Sequence, residues 1–145
     1  MYKRDEIARA FEERGVRMTS QRFCIMEHLL RRHVHSTADE IFHAINRSDP
    51  RASRATVYNS LNALSRAGLV REISLDGKAA LFDANLHRHH HFVCDHCGTV
   101  EDVAWFDAPK LSRASLGARK IREFEVLLRG TCEHCNEEKP ECPKL

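Results

Sequence analysis

The sequence has no run approaching the ~20 consecutive apolar residues that a membrane-crossing helix needs, so no membrane partner is expected. Its first residues, MYKRDEIARAFEERG, have no apolar core of the kind a secretory signal carries, and a cytoplasmic location is the expectation. No internal repeat or low-complexity segment appears. There is no H-E-x-x-H motif, which removes the commonest helical zinc-protease pattern. The net charge of +2 is too small to establish nucleic-acid binding. Cysteine, by contrast, is present six times. Without an export signal, six cysteines point to metal or redox chemistry rather than to a disulfide framework.

The 145 residues, 42% of them hydrophobic, allow one domain or two small ones that would each be marginal alone. Small units of that kind often rely on a metal or a partner subunit. Residues 1–83 carry 14 Lys/Arg and 11 Asp/Glu, and residues 84–145 carry 9 and 10, a weak asymmetry. The histidines say more, because five of the ten fall between His87 and His96.

Apolar spacing predicts four helices in the first half. Ile7, Ala8, Ala10 and Phe11 mark the first, which Gly15 stops. Thr19 or Ser20 caps a second, running to about residue 32 with Phe23, Met26, Leu29 and Leu30 on its apolar face. Ser36 or Thr37 caps a third, with Glu40 placed as in a capping box and Ile41, Ala44 and Ile45 as its stripe. Ser53 starts a fourth, where Val57, Leu61 and Leu64 recur at helical spacing and Gly68 follows the end. The period then changes. Residues 69–75 and 79–82 read as strands joined by an Asp76-Gly77 turn, and helices followed by such a hairpin make a winged helix-turn-helix.

The second half reads as short strands at 89–93 and 99–103, a helix from Pro109 to about Lys120, and a strand over 122–129 with Phe124, Val126 and Leu128 on one face. The expected fold is therefore α+β. A winged-helix DNA-binding domain covers residues 1–83, a linker covers 84–88, and a small α/β domain carrying the two cysteine pairs covers 89–145.

Cys94-Asp-His-Cys97 and Cys132-Glu-His-Cys135 each place two thiols where one metal can take both. Two such pairs supply the four thiolates of a closed structural zinc site, and the 34 residues between them can hold a small α/β unit. A lone C-x-x-C would suit a redox protein, and neither pair is followed by the His of a c-type haem site. Cys24 and Cys142 read as a core cysteine and a spare thiol.

His89 and His91 share one face of a strand, so both can bind one ion. Asp102 on the neighbouring strand, Asp83 at the end of the wing and His35 offer further ligands. His and carboxylate donors suit Fe(II), Mn(II) or Zn(II). The plainer reading of the same residues is a solvated histidine run that binds nothing.

In this order the elements resemble the ferric-uptake-regulator (Fur) family of bacterial metalloregulators. The motifs are T-S-Q-R at 19–22, H-S-T-A-D-E-I-F at 35–42, S-R-A-T-V-Y-N-S-L at 53–61, G-L-V at 68–70 and H-R-H-H-H-F-V-C-D-H-C-G at 87–98. The resemblance implies a dimeric repressor and not an enzyme, with double-stranded operator DNA and a second copy of the chain as partners. It implies a regulatory ion in the hinge held by His35, Asp83, His89, His91 and Asp102, and it assigns the cysteine pairs to the family's structural zinc. Asp at 83 and 102, where iron-sensing members usually have Glu, and Tyr58-Asn59 in the fourth helix are similar to the peroxide-sensing (PerR) members. That likeness implies Fe(II)-driven oxidation of His35 or His89 by hydrogen peroxide, with Mn(II) as a non-reactive corepressor. A His that some members use for a further metal site falls at Phe124 here, which argues against that site.

Arg54, Tyr58, Asn59 and Asn62 lie opposite the apolar stripe of the fourth helix and can reach the major groove. Arg17, Arg22 and Lys78 are candidate phosphate contacts. Two alternatives stand beside this reading: an iron-responsive Fur-type repressor of iron uptake and, more remotely, a zinc-dependent enzyme or thiol oxidoreductase.

Overall fold

The computed structural model describes residues 4–31, 35–47, 52–75, 79–107, 116–122 and 124–136. The chain divides into two compact units, Met1–Leu86 and His87–Leu145.

The first unit holds helices α1 (Arg4–Glu13), α2 (Ser20–Leu30), α3 (Ala38–Ile45) and α4 (Arg54–Arg66). Three short strands accompany them: β1 (Ser36–Thr37), β2 (Arg71–Ile73) and β3 (Leu81–Asp83). Each helix start after the first has a side chain for its orphan amides. The Thr19 oxygen accepts from the Arg22 N–H, and the Ser53 oxygen accepts from that of Thr56. Thr37 forms a complete capping box, accepting from the Glu40 N–H at 3.2 Å while the Glu40 carboxylate accepts from the Thr37 N–H at 2.7 Å. At the end of α4, Gly68 has φ 66° and lets the Leu69 N–H turn back to the Leu64 carbonyl at 2.9 Å. A Cβ there would also crowd Arg14 at 3.3 Å.

These helices bury one apolar core. It gathers Ile7 and Phe11, then Ile25, Met26 and Leu29, then Ile41, with Val57, Leu61 and Leu64 fully enclosed. Burying a side chain of this size contributes about 1.5–3 kcal/mol. Phe23 and Leu30 of α2 and Ile45 of α3 pack at its edge, only partly covered, whereas Ile25 is fully buried at the centre of α2. The sheet runs β1-β3-β2, antiparallel throughout, with Ser36 opposite Phe82 and Arg71 opposite Asp83. Helices α3 and α4 followed by this sheet make the winged helix.

The second unit is built on β4 (His89–Cys94) between β5 (Val100–Ala104) and β6 (Leu127–Gly130), closed by the short helix α5 (Glu133–Asn136). Strand β5 is antiparallel to β4, and β6 is parallel to it. A parallel partner needs a long crossover, which the chain between β5 and β6 provides. The buried apolar residues here, among those described, are Val93, Cys94 and Cys132.

Several boundaries differ from the pattern-based expectation. The wing strands are shorter than 69–75 and 79–82, because pairing persists only where Arg71–Ile73 meets Leu81–Asp83. The last strand does not run over 122–129. It begins at Leu127, since Phe124 turns aside to lie against His90 and Trp105. Strand β1 was not anticipated, because two residues carry no periodicity of their own. The Asp76-Gly77 turn, Lys78, Cys142 and most of the helix expected from Pro109 lie outside the described residues. Cys24 is only half-buried in α2, at the margin of the core rather than inside it.

Candidate metal centres and DNA-reading helix

The four thiols of Cys94, Cys97, Cys132 and Cys135 offer sulfur atoms that all lie within 4.8 Å of one another. A zinc tetrahedron with ~2.3 Å bonds has sulfur–sulfur edges of about 3.8 Å. The Cys97 and Cys132 sulfurs are 3.8 Å apart. The backbone prepares the site. Gly98, at φ 77°, lets its N–H return to the Cys94 carbonyl at 2.9 Å, which folds the first pair into a tight knuckle. The Asp95 N–H donates to the Gly130 carbonyl at 2.8 Å, and the Cys132 N–H donates to the Cys94 sulfur at 3.3 Å. Backbone N–H groups of Cys97 and Cys132 hold the Cys94 thiol below its ordinary pKa, favouring the thiolate that a metal requires. The donor set fits zinc: four soft sulfurs, closed, with no position left for substrate.

The histidine run divides by strand face. His90 is fully buried, stacked on Trp105 at 4.5 Å and close to Phe106 and Phe124. Its Nδ1 accepts from the Val126 N–H at 3.2 Å and its Nε2 donates to the Phe106 carbonyl at 3.0 Å. Both nitrogens are therefore occupied by backbone, and Arg88 lies over the same indole at 4.7 Å. With Phe124 in this cluster, no imidazole stands there to hold a further ion.

His89 and His91 face the other way. The His89 Nδ1 donates to the His87 carbonyl at 2.8 Å, and the His91 Nδ1 lies against the Glu125 carboxylate. With the Nδ1 atoms so engaged, the two Nε2 atoms are turned toward each other, 3.0 Å apart. The Asp102 carboxylate lies 3.5 Å from the His89 Nε2, and the ligand atoms of His89, His91 and Asp102 all lie within 4.8 Å of one another. The pairing of His91 with Asp102 across β4 and β5 brings these groups together. Hard carboxylate and borderline imidazole donors fit Fe(II), Mn(II) or Zn(II).

In the first unit, His35 stands immediately before β1 and Asp83 ends β3. Because Ser36 pairs with Phe82, the register sets these two next to each other, and their ligand atoms also lie within 4.8 Å. Both are buried, and Asp83 accepts from the Asn85 N–H at 2.7 Å. Pattern reasoning did not find Glu125. Nothing local marks one carboxylate in a surface segment; only the pairing of β6 with β4 reveals it.

Helix α4 exposes Arg54, Tyr58, Asn59 and Asn62 opposite its buried stripe, with Tyr58 half in solvent. Arg54 is already held: it ion-pairs with Asp39 and lies over the Phe42 ring at 4.6 Å. Arg22 donates to the Arg17 carbonyl at 2.8 Å, whereas Arg17 is exposed.

The sequence profile of the ferric uptake regulator family matches residues 13–128. The chain belongs to the ferric uptake regulator family. It is thus a transcriptional regulator and not an enzyme, which sets aside the hydrolase and oxidoreductase alternatives. Proteins of the Fur family bind operator DNA, form dimers and bind metals. The peroxide-responsive repressor PerR of Staphylococcus epidermidis is 35% identical over 139 residues, covering 92% of this chain and 91% of that protein. A crystal structure of the Campylobacter jejuni peroxide stress regulator is similar with a TM-score of 0.63 at 27% identity, covering 93% of this chain and all of that one. The Helicobacter pylori Fur, described as having three functional metal-binding sites, gives a TM-score of 0.69 at 20% identity, with 93% and 92% covered. That likeness supports the fold alone. No helix among the described residues is long and apolar enough to cross a membrane.

Proposed function

We propose that this chain is a cytoplasmic, metal-dependent repressor that binds operator DNA as a homodimer and senses hydrogen peroxide. The observation that carries it is the cluster of His89, His91 and Asp102, whose ligand atoms lie within 4.8 Å of one another with the two Nε2 atoms 3.0 Å apart.

Zn(II) held by Cys94, Cys97, Cys132 and Cys135 ties β4 to the segment after β6. A second ion, Fe(II) or Mn(II), would be held by His89, His91 and Asp102, with His35 and Asp83 as the further ligands that the family resemblance implies. Were all five to share one ion, its binding would favour one arrangement of the linker 84–88, and so one spacing of the two recognition helices. Couplings of this kind are typically ~1–3 kcal/mol. Arg54, Tyr58, Asn59 and Asn62 read bases, while Arg17, Arg22 and Lys78 contact phosphates. The second unit supplies the dimer contact; β6 is a sheet edge that leaves Leu127 and Leu128 exposed.

Asp at both 83 and 102 favours peroxide over iron sensing, as do the PerR relatives at 33–35% identity. The chemistry supplied by Fe(II) at such a site is reduction of hydrogen peroxide, with one oxygen atom ending on His35 or His89 and the other leaving as water. The two rings at risk are buried, so the modification falls on the ligands themselves.

The test compares the Fe(II) and Mn(II) forms after dilute peroxide. The Fe(II) form should gain ~16 Da at His35 or His89, the mass of one oxygen atom, and lose operator affinity by the ~5–150-fold that such coupling spans. The Mn(II) form should keep both. Equal behaviour with no modified histidine would favour the iron-responsive reading, in which the same site reports Fe(II) supply. Operator affinity that ignores metal altogether would exclude both.

A further inference from the structure

The rings of His89 and His91 are turned toward the same point by two different kinds of partner. For His89 the partner of Nδ1 is a neutral backbone carbonyl, that of His87. For His91 it is a charged carboxylate, that of Glu125. His91 is fully buried, and the Glu125 carboxylate reaches its Nδ1 from the surface. We propose that Glu125 is a positioning residue for the regulatory ion: it fixes the Nδ1–H tautomer of His91, holds the ring with Nε2 presented, and raises the basicity of that nitrogen. An imidazole whose far N–H faces a carboxylate is a stronger donor to a metal than one facing a carbonyl. This proposal rests on the reading of His91 as an ion ligand.

Glu125 reaches His91 only because of where the chain is pinned on either side. The His91 N–H donates to the Val126 carbonyl at 3.1 Å, the residue next to Glu125. Pairing then runs from His91 opposite Leu127 to Cys94 opposite Gly130. Beyond it, Cys132 donates its N–H to the Cys94 sulfur. The cysteine cluster therefore sets the register of the strand that delivers Glu125. A slip of one residue would carry Glu125 to the other face. The carboxylate is otherwise an ordinary surface group, 42% exposed, so replacing it removes little packing.

The experiment uses the full-length, zinc-loaded protein and Mn(II) as the probe. Mn(II) affinity is measured by electron paramagnetic resonance for wild type, Glu125→Gln, Glu125→Ala and Glu101→Gln. Imidazole nitrogen shifts of the protein without added Mn(II) report the His91 tautomer. Glu101 lies exposed on β5 opposite Phe92, so its variant removes a similar charge from the same sheet without touching His91. Glu125→Ala should weaken Mn(II) by about 10–100-fold, the range for lost outer partners of metal-bound histidines. Glu125→Gln, which keeps an acceptor oxygen, should fall between it and wild type. His91 should lose its single tautomer in the Ala variant, and zinc content should stay constant. Glu125 variants within twofold of wild type, or a Glu101→Gln loss equal to that of Glu125→Gln, would overturn the proposal. A wild-type protein that binds no Mn(II) would instead overturn the function proposed above, while the tautomer measurement still judges the Glu125–His91 contact.

Discussion

The two units are held together by different physics. The first encloses a continuous apolar core drawn from four helices and the wing sheet. The second has Val93 and two metal-type cysteines as its described buried apolar residues, while His89, His90 and His91 occupy the rest of its interior strand. A strand enclosed on both faces usually reads as Val, Ile and Leu. Here three histidines stand in those places, and each needs a partner for its ring nitrogens. Among the described residues of this unit, thiols and hydrogen-bonded rings stand where the other unit uses leucine.

If the cysteine cluster holds zinc as proposed, removing it should produce the largest effect and confine it to the second unit. Binding of structural zinc in small domains is worth roughly 10–16 kcal/mol, comparable to or above the ~5–15 kcal/mol that a whole domain has in hand. Cys132→Ala should lose the zinc and the hydrogen-exchange protection of β4 and β6, while α2 and α4 keep theirs. Exchange is the right measurement, since one melting temperature is not defined for units that unfold separately. Protected β4 amides in a zinc-free protein would erase the contrast.

Leu61→Ala probes the opposite case. Leu61 is fully enclosed, and truncating such a residue costs about 2–5 kcal/mol in lost burial and residual cavity. Denaturant titration followed by exchange in α2 and α4 should show that loss, with the zinc content and β4 protection of wild type. A matching loss in β4 would mean the units melt as one.

The contrast also explains what was legible beforehand. The helical unit showed its periods, caps and core stripe plainly, because Val57, Leu61 and Leu64 repeat within one element and Thr37 with Glu40 signals a start by local spacing. The cysteine pairs and the alternation of His89 and His91 were equally local. What could not be read was non-local. The two-residue strand β1 exists only through Phe82 and Leu81. The parallel β6 begins three residues later than Phe124, because that ring packs on His90 and Trp105 instead of continuing an alternation. Arg54 reads from sequence as an open groove contact, yet Asp39 and Phe42 on α3 hold it.

The smallest effect should come from Thr37→Ala, and it sharpens the comparison at the point where His35 leads into β1. Thr37 is at once the cap of α3 and half of β1, directly after His35 and its neighbour Ser36. Losing the hydroxyl leaves the Glu40 N–H without its acceptor, a change worth about 1 kcal/mol. Exchange should quicken at the start of α3 with zinc content unchanged. Thr37→Ser, which restores an acceptor oxygen, should recover most of it. If His35 serves the ion, Mn(II) should bind Thr37→Ala slightly more weakly, by a factor no larger than the tenfold that 1.4 kcal/mol represents. The cap would then influence a metal centre through strand geometry alone. Unchanged Mn(II) binding alongside a measured loss of helix stability would show that β1 holds His35 without help from α3.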